Sequence, residues 1–197
     1  MISQQFAWSL QHYAEALLNL VELYQQIKAA DVHDGINSTL LILSSKLKPI
    51  TVTKDYGDCP LIECFPAQLN QVFMNILANA ADALLADTAA AVSQPSQSDP
   101  PRSSKQLEIL IATHSIEDNS VQITITDNGC WNPRTVVDRV FDPFFTTKPM
   151  RSGTGLGLSI SHQTVTDRHQ GTLHYRSIGD QETSFIIKIP TTQQTAS

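Results

Sequence analysis

Residues 66–85 read PAQLNQVFMNILANAADALL, and the rest of the chain is best interpreted from this stretch outward. Its apolar residues recur at spacings of three and four, which is the period of one face of an α-helix. Pro66 suits the first turn of a helix, where its missing N–H leaves no hydrogen bond unmade. The stretch therefore predicts a helix from Pro66 to about Leu85, with a buried stripe of Leu69, Val72, Phe73, Ile76, Leu77, Ala80 and Leu84.

The opposite face of this helix is polar but nearly uncharged. Offsets of three and four bring its polar residues to one side, and they are Gln68, Gln71, Asn75, Asn79 and Asp82. A solvated helix face usually carries Lys, Glu or Arg, whereas Asn is a poor helix former. On this stripe alone a solvated face and a functional one are equally good readings, and the motifs further along the chain favour a functional one.

Strands and further helices are predicted on both sides of the central helix. A capped helix begins at Asp31 and ends near Lys48, and another runs from about Gly155 to His169 with Gly171 as its left-handed C-terminal residue. Strands are predicted at 50–56, 107–113, 121–126, 172–178 and 183–189. This order predicts an α+β protein, a two-layer α/β sandwich on a largely antiparallel sheet.

The ends and the middle of the chain differ in composition from the predicted globular part. Residues 1–30 carry apolar residues at heptad spacing, which predicts a coiled-coil-like dimerisation or bundle helix; a helix lying on its own domain is the alternative. Residues 87–105 are polar and contain three prolines, which predicts a flexible insertion. We therefore divide the chain into a partial bundle helix (1–30), a globular domain (31–192) and a tail (193–197).

Charge and cysteine content narrow the classes of function. Among 197 residues, 13 Lys and Arg stand against 19 Asp and Glu, a net charge of −6. This balance argues against a nonspecific nucleic-acid coat or a basic membrane surface. No apolar run approaches the ~20 residues that a membrane helix needs. Three cysteines without metal-ligand spacing predict a reducing, cytoplasmic location.

Three short motifs after the central helix carry candidate chemistry. The sequence Asp127-Asn128-Gly129 follows a predicted strand, where a fixed carboxylate can accept a hydrogen bond from an amine. An aromatic cluster next to a lysine, FDPFFTTK, occupies 141–148. The glycine-rich segment at 153–157, GTGLG, runs directly into a helix, and glycines let the backbone approach a ligand closely.

Together and in this order, the four elements resemble the ATP-binding catalytic domain of sensor histidine kinases, within the superfamily shared with gyrase and mismatch-repair ATPases. In that resemblance 75–82 is similar to the N box, 127–129 to the first glycine box, 141–145 to the F box and 153–157 to the second glycine box. It covers about residues 31–190, and the opening helix resembles the second helix of a dimerisation hairpin.

The resemblance implies a cofactor pair, ATP with Mg²⁺, and a role for individual residues. Asn79 would bind Mg²⁺, Asp127 would read the adenine amine with support from Thr183, and Asn75 and Lys148 would act in catalysis. The full implied ATP-binding set is Asn79, Asp82, Asp127, Gly129, Thr147, Lys148, Gly153, Thr154, Gly155, Leu156, Gly157 and Thr183. Since hydrolysing relatives carry a glutamate base where this chain has Asn75, the resemblance favours transfer to a protein group over hydrolysis.

The sequence also departs from the family pattern. Trp131 and Glu182 stand where glycines are usual, and no histidine lies in the acceptor context of this family. The expectation is a kinase, truncated or fragmentary, that phosphorylates a histidine on a dimerisation helix in cis or in trans, with a response regulator and a second copy as partners and neither nucleic acid nor membrane contact. A serine acceptor remains an alternative, as does a degenerate dimerising module with weak or no nucleotide binding.

Overall fold

The computed structural model describes residues 26–93, 106–129, 139–146, 154–178 and 182–193, with the backbone alone at 87–93. The predicted helix at 1–25 and most of the predicted insertion therefore lie outside the described residues. None of the helices in these ranges is both long and apolar enough to cross a membrane.

Helices form one layer of the fold. They are α1 (Val32–Ile42), the short α2 (Ser44–Leu47), the long α3 (Pro66–Ser93) and α4 (Gly157–Gln163), which continues into a π-helical turn (Thr164–Arg168). The N-cap of α1 is Asp31, whose carboxylate accepts a 2.8 Å hydrogen bond from the backbone N–H of His33. Such a cap pairs one of the N–H groups that every helix start leaves without an intrahelical partner. The helix start predicted at Asp31 is confirmed.

Strands form the second layer. The strand bounds are Lys28–Ala30 (β1), Thr51–Tyr56 (β2), Ile62–Cys64 (β3), Glu108–Ile116 (β4), Ser120–Asp127 (β5), Thr172–Ile178 (β6) and Glu182–Pro190 (β7). In the larger sheet the order is β2-β4-β5-β7-β6, with β2 parallel to β4 and every other neighbouring pair antiparallel. A second, small sheet pairs β1 with β3 antiparallel. The α+β two-layer sandwich is confirmed.

The core lies between the helices and one face of the larger sheet. Every residue of the predicted stripe on α3 is buried, and Phe73, Ile76 and Leu77 are completely inaccessible. Opposite them, alternate residues of the central strands point inward, as the period of two in a strand requires. These include Ile109 and Ile111 of β4, Ile123 and Ile125 of β5, and Phe185 and Ile187 of β7. This packing holds α3 at a fixed height above the sheet.

Two predicted boundaries are wrong. Residues 28–30, assigned above to the end of the opening helix, form β1 and pair with β3. The central helix does not end near Leu85 but continues to Ser93, into the predicted flexible insertion. Its added turns contain the alanine-rich run 89–91, and alanine is the best helix former, while the prolines that suggested a loop come later.

The end of the α4 segment also differs from the prediction. The left-handed residue there is Gln170, with φ of 51°, and Gly171 has no positive φ. Glycine is required at 171 for space, because a Cβ would collide with the carbonyl oxygen of Lys188 on β7. The helix also begins two residues later than predicted, at Gly157.

A buried histidine joins the π-helical turn to the start of α3. The Nε2 atom of His169 accepts a 3.0 Å hydrogen bond from the backbone N–H of Phe65, and Nδ1 lies 2.8 Å from the carbonyl oxygen of Thr164. An acceptor Nε2 requires the neutral ring with its proton on Nδ1, which then donates to Thr164. The side chain is completely inaccessible, and this burial lowers the pKa of His169. Its role is therefore in packing.

Stability is expected to fall as the pH drops from 7.5 to 5.5, in a way that depends on His169. Because the pKa of His169 is lowered in the folded protein, the unfolded chain binds the proton at a higher pH. The stability that the neutral ring contributes is therefore complete at high pH, and it is lost as the pH falls below the unfolded pKa near 6.5. Urea denaturation at several pH values should give a smaller slope of unfolding free energy against pH for His169→Gln. The exposed His174 is the control, and an equal reduction in His174→Gln would contradict this role.

Candidate functional site

A narrow crevice opens between α3, the ends of β5 and β7, and α4. Its cavity volume is only about 10 Å³, about the room that one water molecule needs, and it opens to solvent. Three polar side chains face it, those of Asn79, Asp127 and Thr183, and the remaining wall is apolar, formed by Ala80, Ala83, Leu158 and Phe185. An apolar cleft with a few convergent polar groups is the usual form of a small-molecule site. The structure thus brings together three of the residues that the resemblance implied for nucleotide binding.

Asp127 is the buried anion of the crevice. It ends β5 directly opposite Thr183 on β7, and only 2% of it is exposed. Its Oδ1 accepts a 3.0 Å hydrogen bond from the backbone N–H of Gly129, which turns the chain back on the carboxylate. An ionised carboxylate has about four acceptor positions, so it has capacity for a donor in the crevice as well.

The two residues that follow Asp127 in the chain, Asn128 and Gly129, hold its carboxylate in place. The side chain of Asn128 bridges to the neighbouring β4 segment, accepting from the N–H of Glu108 at 3.0 Å and donating to the carbonyl of Gln106 at 2.8 Å. The backbone N–H of Asn128 also donates to the carbonyl of Glu108. These bonds hold the end of β5 in place, a role that the sequence analysis did not assign to Asn128.

Thr183 contributes a hydroxyl at the same edge. It is 2% exposed, and its Oγ1 makes no hydrogen bond of good geometry within the described residues. Leaving a buried hydroxyl without a good partner costs about 1–3 kcal/mol, so such an atom beside a crevice marks a position where a ligand or a water completes the bonding.

Asn75 and Asn79 play different parts although they lie one turn apart. Asn79 lines the crevice. The amide nitrogen of Asn75 instead donates to the carbonyl of Gly157 and to the hydroxyl of Ser161, both at 3.0 Å. Ser161 in turn donates to the carbonyl of Gly157 at 2.8 Å. Asn75 therefore fastens α3 to the first turn of α4, and Ser161, which the sequence analysis missed, completes this contact.

The last polar residue of the stripe, Asp82, does not line the crevice. Its carboxylate forms a 2.6 Å ion pair with Lys46 of α2, and both side chains are about one-third exposed. Surface pairs of this kind contribute little stability, but they fix the direction of a side chain. The geometry thus gives no support to Asp82 as a residue in contact with a nucleotide.

The glycine-rich segment is tied to the aromatic cluster. Gly155 has a φ of +67° and its carbonyl accepts a 3.0 Å hydrogen bond from the N–H of Phe144. Phe144 also has a φ of +67° and is 74% exposed. Left-handed backbone is unfavourable for a bulky residue, and such strain is often found at functional sites. Thr154 accepts a long hydrogen bond from the N–H of Leu156, which keeps this segment compact.

We expect Gly155→Ala to loosen this tie. A Cβ at 155 would lie 2.5 Å from the carbonyl carbon of Phe144, and its φ would be strained by about 1–2 kcal/mol. The Phe144 amide should therefore lose protection from hydrogen exchange by about tenfold or more. Gly157→Ala is the matched control, because a Cβ there meets only Asn75 at an ordinary 3.4 Å. Unchanged protection in Gly155→Ala would contradict the prediction.

Four residues singled out by the sequence analysis lie outside the described residues. They are Trp131, Thr147, Lys148 and Gly153. Within the described ranges there is also no group of three or more His, Cys, Asp or Glu side chains placed to hold a metal ion. A cation at Asn79 would have to take its remaining ligands from a bound molecule and water, which is how Mg²⁺ is often held beside phosphates.

The chain matches a protein-family model over residues 65–193, and that family is described as histidine kinase-, DNA gyrase B- and HSP90-like ATPases. Among curated relatives, the signal transduction histidine-protein kinase AtoS of Escherichia coli K12 is 35% identical over 126 residues, which are 64% of this chain and 17% of AtoS. The sensor histidine kinase ZraS of the same strain is 28% identical over 185 residues, 92% of this chain and 35% of ZraS. The chain thus spans a minor part of each relative's length.

Solved structures with the same fold are also histidine kinases. The nucleotide-free catalytic domain of ThkA superposes with a TM-score of 0.68 at 22% identity, covering 85% of this chain and 97% of that domain. ThkA in complex with the response regulator TrrA gives 0.63 at 19% identity, covering 94% and 49%. Full-length ShkA with AMPPNP gives 0.66 at 17% identity, covering 98% and 40%. These likenesses show the fold.

Proposed function

We propose, from the premise that this chain belongs to the family of histidine kinase-, DNA gyrase B- and HSP90-like ATPases, that it is the ATP-binding catalytic part of a sensor histidine kinase. The observation that carries the proposal is that the buried Asp127 carboxylate and the Asn79 amide line the same crevice, whose other walls are mostly apolar. The likeness to AtoS and ZraS selects the histidine kinases within the family.

The base of the nucleotide would occupy the crevice, whose walls would have to move apart to admit it. Its flat rings would lie against the apolar wall of Leu158 and Phe185, and its exocyclic amine would donate to Asp127. A buried carboxylate discriminates strongly in favour of a donor, because an acceptor placed there would leave the charge unpaired. Thr183 would support this recognition from β7.

The phosphates and Mg²⁺ would lie toward the glycine-rich segment. Asn79 offers an amide oxygen, a ligand type that Mg²⁺ accepts, and the bound ion would neutralise the charge on the phosphates. The backbone of residues 153–157, with Thr147 and Lys148, would hold the phosphate groups. ATP and Mg²⁺ thus supply the phosphoryl group and its charge neutralisation, while the protein supplies position.

Asn75 would assist by positioning, and we revise its proposed catalytic role accordingly. Its amide nitrogen is already used on Gly157 and Ser161, and an amide cannot accept a proton from water as a glutamate does. The site therefore lacks, at this position, the base that hydrolysis needs. This supports transfer of the γ-phosphoryl group to a protein acceptor, which we propose is a histidine on a dimerisation helix in cis or in trans.

The partners follow from the same proposal. A second copy would pair through the segment that precedes β1, and a response regulator would receive the phosphoryl group, as ThkA forms a complex with its response regulator TrrA. We place the protein in the cytoplasm, in keeping with Cys59 and Cys64, the unpaired cysteines of the described chain.

Phosphoryl transfer tests the proposal. Incubation with labelled ATP, Mg²⁺ and a separately expressed acceptor hairpin should label the hairpin with an acid-labile, base-stable phosphate, and the hairpin with its histidine replaced by glutamine should stay unlabelled. Acid-stable label would indicate a serine acceptor instead. Nucleotide binding without any label would leave a binding role only, and absence of both would favour the degenerate dimerising module.

A further inference from the structure

A row of polar side chains crosses the inner face of the sheet at the mouth of the crevice. The strand register places Asp127 of β5 opposite Thr183 of β7, and Thr183 opposite Ser177 of β6. The next row inward pairs Phe185 with Tyr175. The function proposed above uses Asp127 and Thr183, so Tyr175 and Ser177 extend the polar row beyond what that function explains.

Tyr175 stands behind the crevice wall. Its ring packs against Phe185 with 5.2 Å between the ring centroids, and Phe185 is itself part of the wall. Its hydroxyl oxygen is sealed from solvent, with the hydroxyls of Thr183 and Ser177 as its polar neighbours. Burial, together with the nearby Asp127 charge, raises the pKa of Tyr175, which keeps the phenol protonated and able to donate.

A protonated phenol beside Thr183 constrains the Thr183 hydroxyl. A hydroxyl has one donor and two acceptor positions, and its hydrogen rotates to suit its surroundings. If the phenol donates a hydrogen bond to Thr183 Oγ1, the hydroxyl hydrogen of Thr183 must point away from Tyr175. Because Thr183 lines the crevice, this hydrogen then points toward the bound base. The Asp127 carboxylate can only accept, so the crevice then presents an acceptor, Asp127, beside a donor, the Thr183 hydroxyl.

We propose that Tyr175 is a positioning residue for nucleotide-base selection, which orients the Thr183 hydroxyl as a donor beside the Asp127 acceptor. The inference rests on the proposed function. An acceptor beside a donor complements adenine, which presents an amine next to a ring-nitrogen acceptor. Guanine presents the reverse, a carbonyl acceptor next to a ring N–H donor, and is disfavoured at both positions.

Calorimetric titration with two nonhydrolysable analogues and Mg²⁺, AMPPNP and GMPPNP, tests the inference. Tyr175→Phe keeps the ring and removes the hydroxyl, and we expect the preference for AMPPNP over GMPPNP to fall about threefold to tenfold. Tyr56→Phe is the matched control, because Tyr56 lies on the edge strand β2, its hydroxyl bonds to Asn37 and neither residue lines the crevice, so its preference should be unchanged. Thermal unfolding of each variant checks the fold.

A double-mutant cycle shows whether Tyr175 acts through Thr183. In a Thr183→Val background, Tyr175→Phe should have no further effect on the preference. An unaltered preference in Tyr175→Phe, or an equal effect with and without the Thr183 hydroxyl, would overturn the inference while the proposed function stands. Failure of the unmodified chain to bind AMPPNP would overturn the proposed function and this inference with it.

Discussion

Asp127→Asn is expected to weaken binding of Mg²⁺-AMPPNP by about 100-fold. The carboxylate is 2% exposed, so a bound amine loses its water on entering and depends on the charged acceptor it meets. Hydrogen bonds to charged groups contribute about 1.5–3 kcal/mol, and 100-fold corresponds to about 2.7 kcal/mol. An asparagine of the same shape keeps one acceptor oxygen but presents an N–H₂ group where the base presents its own donor.

The measurement is calorimetric titration, with Asp118→Asn as control. Asp118 lies in the turn between β4 and β5, its side chain is 80% exposed, and it pairs only at the surface with Lys188. The control should bind as the unmodified chain does. If Asp127→Asn bound within threefold of the unmodified chain, the base would not be recognised by this carboxylate.

Asn79→Ala is expected to remove the contribution of Mg²⁺ to binding. The unmodified chain should bind AMPPNP more tightly with Mg²⁺ than with a chelator present, by about 10- to 100-fold. Without the amide oxygen at the crevice wall, the two affinities should be nearly equal, because the ion then has no protein ligand at this point. The side chain is half-buried, so its truncation to alanine leaves the helix backbone intact.

Gln71→Ala serves as the control for Asn79, since Gln71 is exposed on the same helix two turns earlier. Comparison of the two Mg²⁺ dependences removes any general effect of shortening a polar side chain on α3. A full Mg²⁺ effect in Asn79→Ala would show that the ion is held by other residues.

Local sequence patterns predicted much of this fold, because burying one face of a helix or strand sets the spacing of apolar residues along the chain. The buried stripe of the central helix follows from spacings of three and four, and all seven of its residues are buried. Strand alternation likewise gave β4 to β7 within a few residues. By contrast, β1 and β3 are three residues long and pair across more than 30 positions, so neither carries a pattern of its own.

Three residues of the proposed site were singled out from the sequence, but the contacts that hold them in place were not. Asp127, Thr183 and Asn79 line one crevice in the structure. The hydrogen bond from Asn75 to Gly157 joins residues 82 positions apart, and no local sequence pattern predicts a contact over that separation. Tyr175 was missed because its chemistry depends on strand register, which places its hydroxyl near Thr183 only once β6 and β7 have paired.

Titration of the unmodified chain with AMPPNP and Mg²⁺ tests the central claim most directly, that the crevice between α3 and α4 takes a nucleotide by its base. We predict saturable binding of one nucleotide per chain, competed by ATP and not by GTP at the same concentration. No heat of binding up to millimolar nucleotide, in a chain whose thermal unfolding is cooperative, would contradict it.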